Sequence, residues 1–249
     1  MRRLSRGARF GVAAALAVLG LFAAIDARAQ APNPSFSCTK ARTADEQTIC
    51  GDARLAELDQ AVSLGYAQVP NDMREGAKAD AKELLAARRA CGSDRLCILE
   101  QQVNAIETFA GAGSKVPVPP WVGAYRVELV TARGLPPERG IPARVGRCTI
   151  TKIASITTRF GNTLGAPPSG DDYDEGSAVT FANQGHQVSY SYVGALADSR
   201  IGDEVLLCLV SIPKNCPPGD DRGRVYSGTN LRTKGSWLLP DAQHSCGGA

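Results

Sequence analysis

The chain has 249 residues, with 28 Lys and Arg against 25 Asp and Glu for a net charge of +3, eight cysteines, two histidines and 6% aromatic residues. Two histidines are too few for a multi-histidine metal centre. Sparse aromatics and the lack of any Lys/Arg run argue against a nucleic-acid platform.

The positive excess belongs to the N-terminus, where residues 1–29 hold five Arg and one Asp. The remainder is close to −1. Arg2, Arg3, Arg6 and Arg9 precede an apolar run from Val12 to Ile25, and Ala27-Arg28-Ala29 supplies a small-x-small cleavage pattern. Residues 1–29 therefore read as a signal peptide, cut before Gln30. The apolar run is shorter than the ~20 residues of a membrane-spanning helix. With no cysteine at the cleavage point, no lipid anchor is expected. All eight cysteines follow residue 37, which predicts a periplasmic or secreted protein whose cysteines form disulfides.

Composition shifts near residue 112, from Ala, Leu, Glu, Lys, Arg and Gln to Gly, Pro, Thr, Val and Ser. The expected fold class is α+β in two domains: helices over 35–111, a linker over 112–120 and a β domain over 121–249. Thr43-Ala-Asp-Glu46 is a capping-box pattern for a short helix ending at Cys50-Gly51. Asp52 can cap a second helix with the apolar stripe Leu55, Leu58, Val62, Tyr66 and Val69. Pro70-Asn71-Asp72 breaks it, and a third helix runs from about Arg74 to Ala90. Ser93 or Asp94 caps a fourth, with the stripe Leu96, Leu99, Val103, Ile106 and Ala110.

If helices two and three form an antiparallel hairpin, Cys91 returns beside Cys50. The expected bridges are then Cys50–Cys91 and Cys38–Cys97; the pairing Cys38–Cys91 with Cys50–Cys97 stays open, since four cysteines permit three connectivities. Each bridge should contribute about 2–4 kcal/mol in so small a unit. The spacings do not fit a zinc module, and the helical half has no histidine.

The run from Phe36 to Cys50, with Leu55, Leu58-Asp59, Tyr66 and Cys91-Gly92-Ser93-Asp94-Arg95-Leu96-Cys97, resembles the N-terminal domain of LprI-type lysozyme inhibitors over about residues 35–110. The resemblance implies a four-helix disulfide-bonded domain that binds lysozyme by steric occlusion. Asp59 is a candidate to face a partner, although an acidic residue on a helix is more usually solvated or ion-paired. The helical segment carries nine basic and twelve acidic side chains, a sign that favours encounter with a basic partner.

Residues 121–249 read as an antiparallel β-barrel or sandwich, with strands over Val122–Thr131, Arg147–Thr158, Ser177–Ala182, His186–Val193, Glu204–Ile212, Arg224–Thr229 and Gly235–Leu239. Asn183-Gln184-Gly185 is a hairpin signal. Cys148 with Cys208, and Cys216 with Cys246, are the expected bridges. Ser169-Gly170-Asp171-Asp172-Tyr173 and Thr233-Lys234-Gly235 resemble two loop motifs of the C-type lysozyme inhibitors MliC and PliC. That resemblance implies partner contacts by Ser169, Tyr173 and Lys234, in which a hydroxyl and an ammonium meet the paired carboxylates of a glycosidase cleft. Asp171 and Asp172 work against such a contact; Asp172, Asp174 and Glu175 offer carboxylates for calcium, but the segment lacks the rest of an EF-hand loop and reads better as an exposed acidic loop. His244 lies two residues from Cys246, but a disulfide is the simpler use of that sulfur. No nucleophile elbow, phosphate loop or dinucleotide fingerprint is present. The sequence thus predicts an exported binding protein without catalytic residues, cofactor, metal or membrane anchor. It would be lysozyme-inhibitor-like or, alternatively, an envelope adaptor for another protein or glycan.

Overall fold

The computed structural model describes residues 33–134, 140–165 and 175–248. The leader expected over 1–29, and with it the cleavage site, lies outside the described residues, as do Ser169, Tyr173 and the acidic Asp171–Asp174 segment.

After a 3-10 turn at Cys38–Lys40, helix α1 spans Ala44–Cys50. Its start is fixed by Glu46, whose carboxylate accepts from the backbone N–H groups of Arg42 and Thr43 at 2.8 and 3.2 Å. Asp52 caps α2 (Ala53–Gln68), accepting from the N–H groups of Arg54 and Leu55. Beyond Pro70, α3 runs Arg74–Ala90 and stops at Cys91 and Gly92, the latter at φ +57°. Asp94 then caps α4 (Arg95–Gly111) through the N–H of Cys97. Leu96, Leu99, Val103 and Ile106 of α4 are buried against Leu55 and Leu58 of α2.

The segment Val122–Thr131 corrects the strand expectation: it is helix α5 (Val122–Ala132). Tyr125, Val127 and Leu129 alternate as in a strand, yet Val122, Tyr125, Arg126 and Leu129 also fall on one helical face, and those four are buried. Gly123 on this helix lies against the carbonyl oxygen of Lys234, so close that a Cβ there would overlap it.

Six strands, β1 (Cys148–Thr157), β2 (Ser177–Phe181), β3 (His186–Ser189), β4 (Glu204–Ser211), β5 (Val225–Asn230) and β6 (Ser236–Pro240), form one antiparallel sheet in the order β3-β2-β1-β4-β5-β6. A short helix, α6 (Gly194–Ala197), links β3 to β4. The sheet curls until its edge strands meet across a side chain. Gln187 of β3 donates to the carbonyls of Tyr226 and Leu239 at 2.7 and 2.9 Å, and its oxygen accepts from the indole of Trp237 at 2.9 Å. The curled face encloses Ile153, Val179, Phe181, Val205, Leu207, Leu209, Tyr226 and Trp237. The other face, through Leu206, Cys208 and Cys148, joins the core of the helices. Central strand β4 is therefore buried on both sides, which accounts for its unbroken apolar run Val205–Val210. The described residues form one compact unit, and the helices share a core with the sheet.

A buried ion pair lies between these two layers. Arg126 of α5, with no exposed surface, donates to both carboxylate oxygens of Glu100 on α4 at 2.7 and 3.1 Å and to the Thr229 hydroxyl of β5 at 2.7 Å. Ser227 of β5 donates to the same carboxylate at 2.8 Å. Gln101 adds a bond from α4 to the Val210 carbonyl.

All eight cysteines are bridged. Cys148–Cys208 joins residues directly paired on β1 and β4, and Cys216–Cys246 ties the β4–β5 connection to the C-terminal tail. In the helical half the bridges are Cys38–Cys50 and Cys91–Cys97, which corrects the expected Cys38–Cys97 and Cys50–Cys91. The α2–α3 hairpin does return the end of α3 toward α1, since Arg88 reaches Asp45. Yet the 3-10 turn places Cys38 beside Cys50, and the turn after α3 places Cys91 beside Cys97, with Cα atoms 5.7 and 5.5 Å apart. By loop-closure entropy the 60-residue Cys148–Cys208 span should contribute about 4 kcal/mol and the six-residue Cys91–Cys97 span about 2 kcal/mol.

Replacing Arg126 with Met should destabilise the protein by about 3–5 kcal/mol in urea denaturation, because Glu100 is left buried and unpaired. Combining it with Glu100→Leu should recover most of that loss. At the β5–β6 pair, the ring of Trp237 lies over Gly228, where a Cβ would come within 2.3 Å of it. Gly228→Ala should cost about 1–3 kcal/mol by the same measurement.

Candidate functional site

Asp59 does not face a partner, which corrects its candidacy as a partner contact; it is ion-paired, the more usual state of a helical acid. It is buried on α2, where Arg88 of α3 donates to it at 2.8 Å and the backbone N–H of Ser35 at 2.8 Å. The other arm of Arg88 holds Asp45 of α1 at 2.9 Å. These acids organise the helices. Asp52 has a similar role: its carboxylate takes the Tyr125 hydroxyl of α5 and the guanidinium of Arg95, while Arg54 covers the Tyr125 ring at 4.5 Å. The Trp121 indole donates to Glu57 of α2 at 3.0 Å, fixing the end of the linker on the helices.

The registers gather several loops at one end of the sheet. Thr157 pairs with Ala178, Ser177 with Ser189, Lys152 with Glu204, Val205 with Asn230 and Thr229 with Ser236. The β1–β2 connection, the exit of β3, the entry of β4 and the β5–β6 turn therefore share that end. Lys234 sits in the β5–β6 turn at φ +62°, exposed, with its ammonium 2.6 Å from the Leu231 carbonyl. Ala195 of α6 packs beside Gly235 in the same turn. Next to α6, the Ser177 hydroxyl bonds Ser191 and Val193, joining the start of β2 to the exit of β3.

At the stem of the β1–β2 connection the Arg159 N–H donates to the Glu175 carbonyl at 3.0 Å. The Arg159 guanidinium lies 4.2 Å from the ring centre of Phe160 and 4.7 Å from that of Tyr190. Those rings are 62% and 48% exposed, and Ile201, in the turn entering β4, is 71% exposed. Nearby, Arg232 is held by Asp203 at 2.7 Å, and Asn230 donates to the same carboxylate. Those hydrogen bonds hold the Asp203 carboxyl well below the usual carboxylate range. This end thus combines exposed apolar rings with cations.

The opposite end has a recess of about 130 Å³ with His186, Arg224, Tyr226 and Asp241 on its wall. Burial, with the charge of Asp241, pushes the Tyr226 phenol up, and its hydroxyl is turned to the Pro142 carbonyl. Asp241 accepts from the N–H of Gly223 at 2.8 Å, a turn-fixing contact. Cys246 is bridged to Cys216 and is not a nucleophile. Among the described residues no group of three or more His, Cys, Asp or Glu side chains could hold a metal ion, and no helix is long and apolar enough to cross a membrane.

The sequence reading singled out Lys234 but missed Phe160 and Tyr190. An aromatic next to an arginine at a strand end, as in Arg159-Phe160-Gly161, was the available signal. No family model matches the chain, and comparison with curated proteins and with solved structures finds no match.

Burial opposes ionisation of Asp52. The Tyr125 hydroxyl, the N–H groups of Leu55 and Arg54, and the charge of Arg95 outweigh it and hold the carboxyl below its ordinary value. A carboxylate with a depressed pKa stabilises the fold above the unfolded value and loses that contribution as pH falls. Stability measured by urea denaturation should therefore drop below about pH 4. Asp52→Asn, which keeps a good helix cap, should be less stable at pH 7 and show a shallower acid dependence.

Proposed function

We propose that the chain is an exported, non-enzymatic binding protein of the lysozyme-inhibitor-like kind, acting by steric occlusion of its partner. Four disulfides with no free cysteine fit an oxidising extracellular or periplasmic setting, and residues 1–29 would be the signal peptide that delivers it there. In this reading α1–α4 correspond to an LprI-like domain and the curled sheet to an opened-out barrel. The observation that carries the proposal is the shared end of the sheet. There the Lys234 turn packs on α6, and the stem of the β1–β2 connection carries Arg159 against the exposed rings of Phe160 and Tyr190. Both connections, distant in sequence, thus start from the same end of the sheet. The ammonium supplies charge for the cleft carboxylates, and the rings supply the apolar contact on which hot spots depend.

Purified, oxidised protein should inhibit chicken-type or goose-type lysozyme in a muramidase assay. Lys234→Ala and the double change Phe160→Ala/Tyr190→Ala should each weaken inhibition at least tenfold, with thermal stability little changed because these side chains are exposed. Unchanged muramidase activity with both enzyme types overturns the reading. The second reading, an envelope adaptor for another protein or a glycan, is favoured by the exposed ring faces on either side of Arg159, which also suit sugar stacking. Retention on a glycan matrix, lost in the Phe160/Tyr190 variant and without lysozyme inhibition, would establish it.

A further inference from the structure

We propose that the recess bounded by α3, α4 and the β4–β5 connection binds a short peptide with a free ammonium group at one end and a free carboxylate at the other. The proposal does not depend on the lysozyme reading and uses none of its residues at the sheet end.

The recess forms where two helix faces meet a fixed loop. Asp80, Glu83, Leu84 and Ala87 recur at three- and four-residue steps, so they share one face of α3 and make one wall. Gln101, which is buried, and Asn104, one turn on along α4, make the floor. Residues 211–215, which lead out of β4, make the second wall. That wall is held in place at both ends. Gln101 donates to the Val210 carbonyl at 3.1 Å, and Cys216 is bridged to the C-terminal tail. Between them Asn215 adopts φ +60°, a left-handed conformation that asparagine accepts more readily than most residues. The space enclosed is about 470 Å³, within the ~300–1,000 Å³ of small-ligand sites.

The charges on the two walls define the occupant. Asp80 and Glu83 stand on the α3 wall and Lys214 on the loop wall, all three exposed. Among the described residues none of the three takes part in an ion pair or a side-chain hydrogen bond, so opposite charges line one recess without closing a bridge across it. Lys78 and Lys82 fall on the opposite face of α3 and do not line it. A simple anion would meet two carboxylates, and a simple cation would meet the ammonium. A ligand with one charge of each sign at its two ends complements both walls. Between those charges the amides of Asn104 and Asn215 and the hydroxyl of Ser211 can each donate and accept, as the N–H and C=O groups of a peptide require. Leu84, Ala87 and Ile212 offer apolar contact to small side chains.

Trialanine and its end-blocked forms test the site. In an amide NMR titration of the oxidised full chain at low ionic strength, trialanine should bind saturably and shift the side-chain amide signals of Asn104 and Asn215. Acetylating its amine, or amidating its carboxylate, should each weaken binding about fivefold, the upper end for one exposed ion pair. The double change Asp80→Asn/Glu83→Gln should weaken trialanine to the same extent but leave the acetylated peptide unaffected. Lys214→Gln should weaken trialanine and leave the amidated peptide unaffected. Ala87→Tyr, at an exposed position, should block every form with little change in thermal midpoint, and the charge variants carry the test should it fail to fold. No saturable binding of trialanine, or binding that survives Ala87→Tyr in the folded protein, overturns the site. Equal affinity for trialanine and the doubly blocked peptide, or charge variants that weaken all forms alike, overturns the requirement for two opposite charges.

Discussion

The contact between Arg126 and Glu100 holds helices and sheet in one body. A guanidinium without exposed surface is tolerated because its donors are matched by two carboxylate oxygens and a threonine hydroxyl, while Ser227 supports the same carboxylate. These groups come from α4, α5 and β5. The bidentate pair fixes α5 on α4, and the Thr229 and Ser227 hydroxyls fix both helices on β5, where a purely apolar interface would accept small slips. The end of the sheet that bears Lys234 is positioned through this arrangement, since α5 packs Gly123 directly on the Lys234 backbone.

Charge elsewhere in the helical half is arranged by the same logic. Asp45, Asp52 and Asp59 are buried, and each has an arginine partner: Arg88 for two of them and Arg95 for the third. The negative sign of this segment is therefore partly internal. What a visiting macromolecule meets is set more by exposed residues on and before α3, where Asp72, Glu75, Asp80 and Glu83 are interspersed with Lys78, Lys82 and Arg89. The sheet end differs from this mixed-charge surface in presenting exposed rings beside its cations.

Local signals carried much of the architecture. Glu46, Asp52 and Asp94 announce three helix starts, Pro70 and Gly92 mark two breaks, and the β-branched runs around Ile150, Val179 and Val205 locate strands. What was not legible depends on tertiary context. Helix α5 carries residues that fit either periodicity, and its burial against α4 and β5 decides between them. Asp59 looks like a surface acid until Arg88, from a different helix, closes over it. The lone arginine in Val122-Gly-Ala-Tyr-Arg126-Val-Glu-Leu-Val130 was a usable sign of a buried pair, although its partner, twenty-six positions away, was not. Of the candidate partner contacts, Lys234 is exposed at the sheet end.

The sulfur connectivity has a consequence for biogenesis. Numbered along the chain, the first cysteine joins the second, the third the fourth, the fifth the sixth and the seventh the eighth. No loop is threaded or interleaved by another. A polypeptide delivered amino end first to an oxidant would meet its correct mate as the next thiol to arrive, and consecutive oxidation would then produce the native set without reshuffling. By that route maturation would need no isomerase rescue, and its yield would be governed by how fast each newly arrived pair is oxidised relative to the emergence of the one behind it.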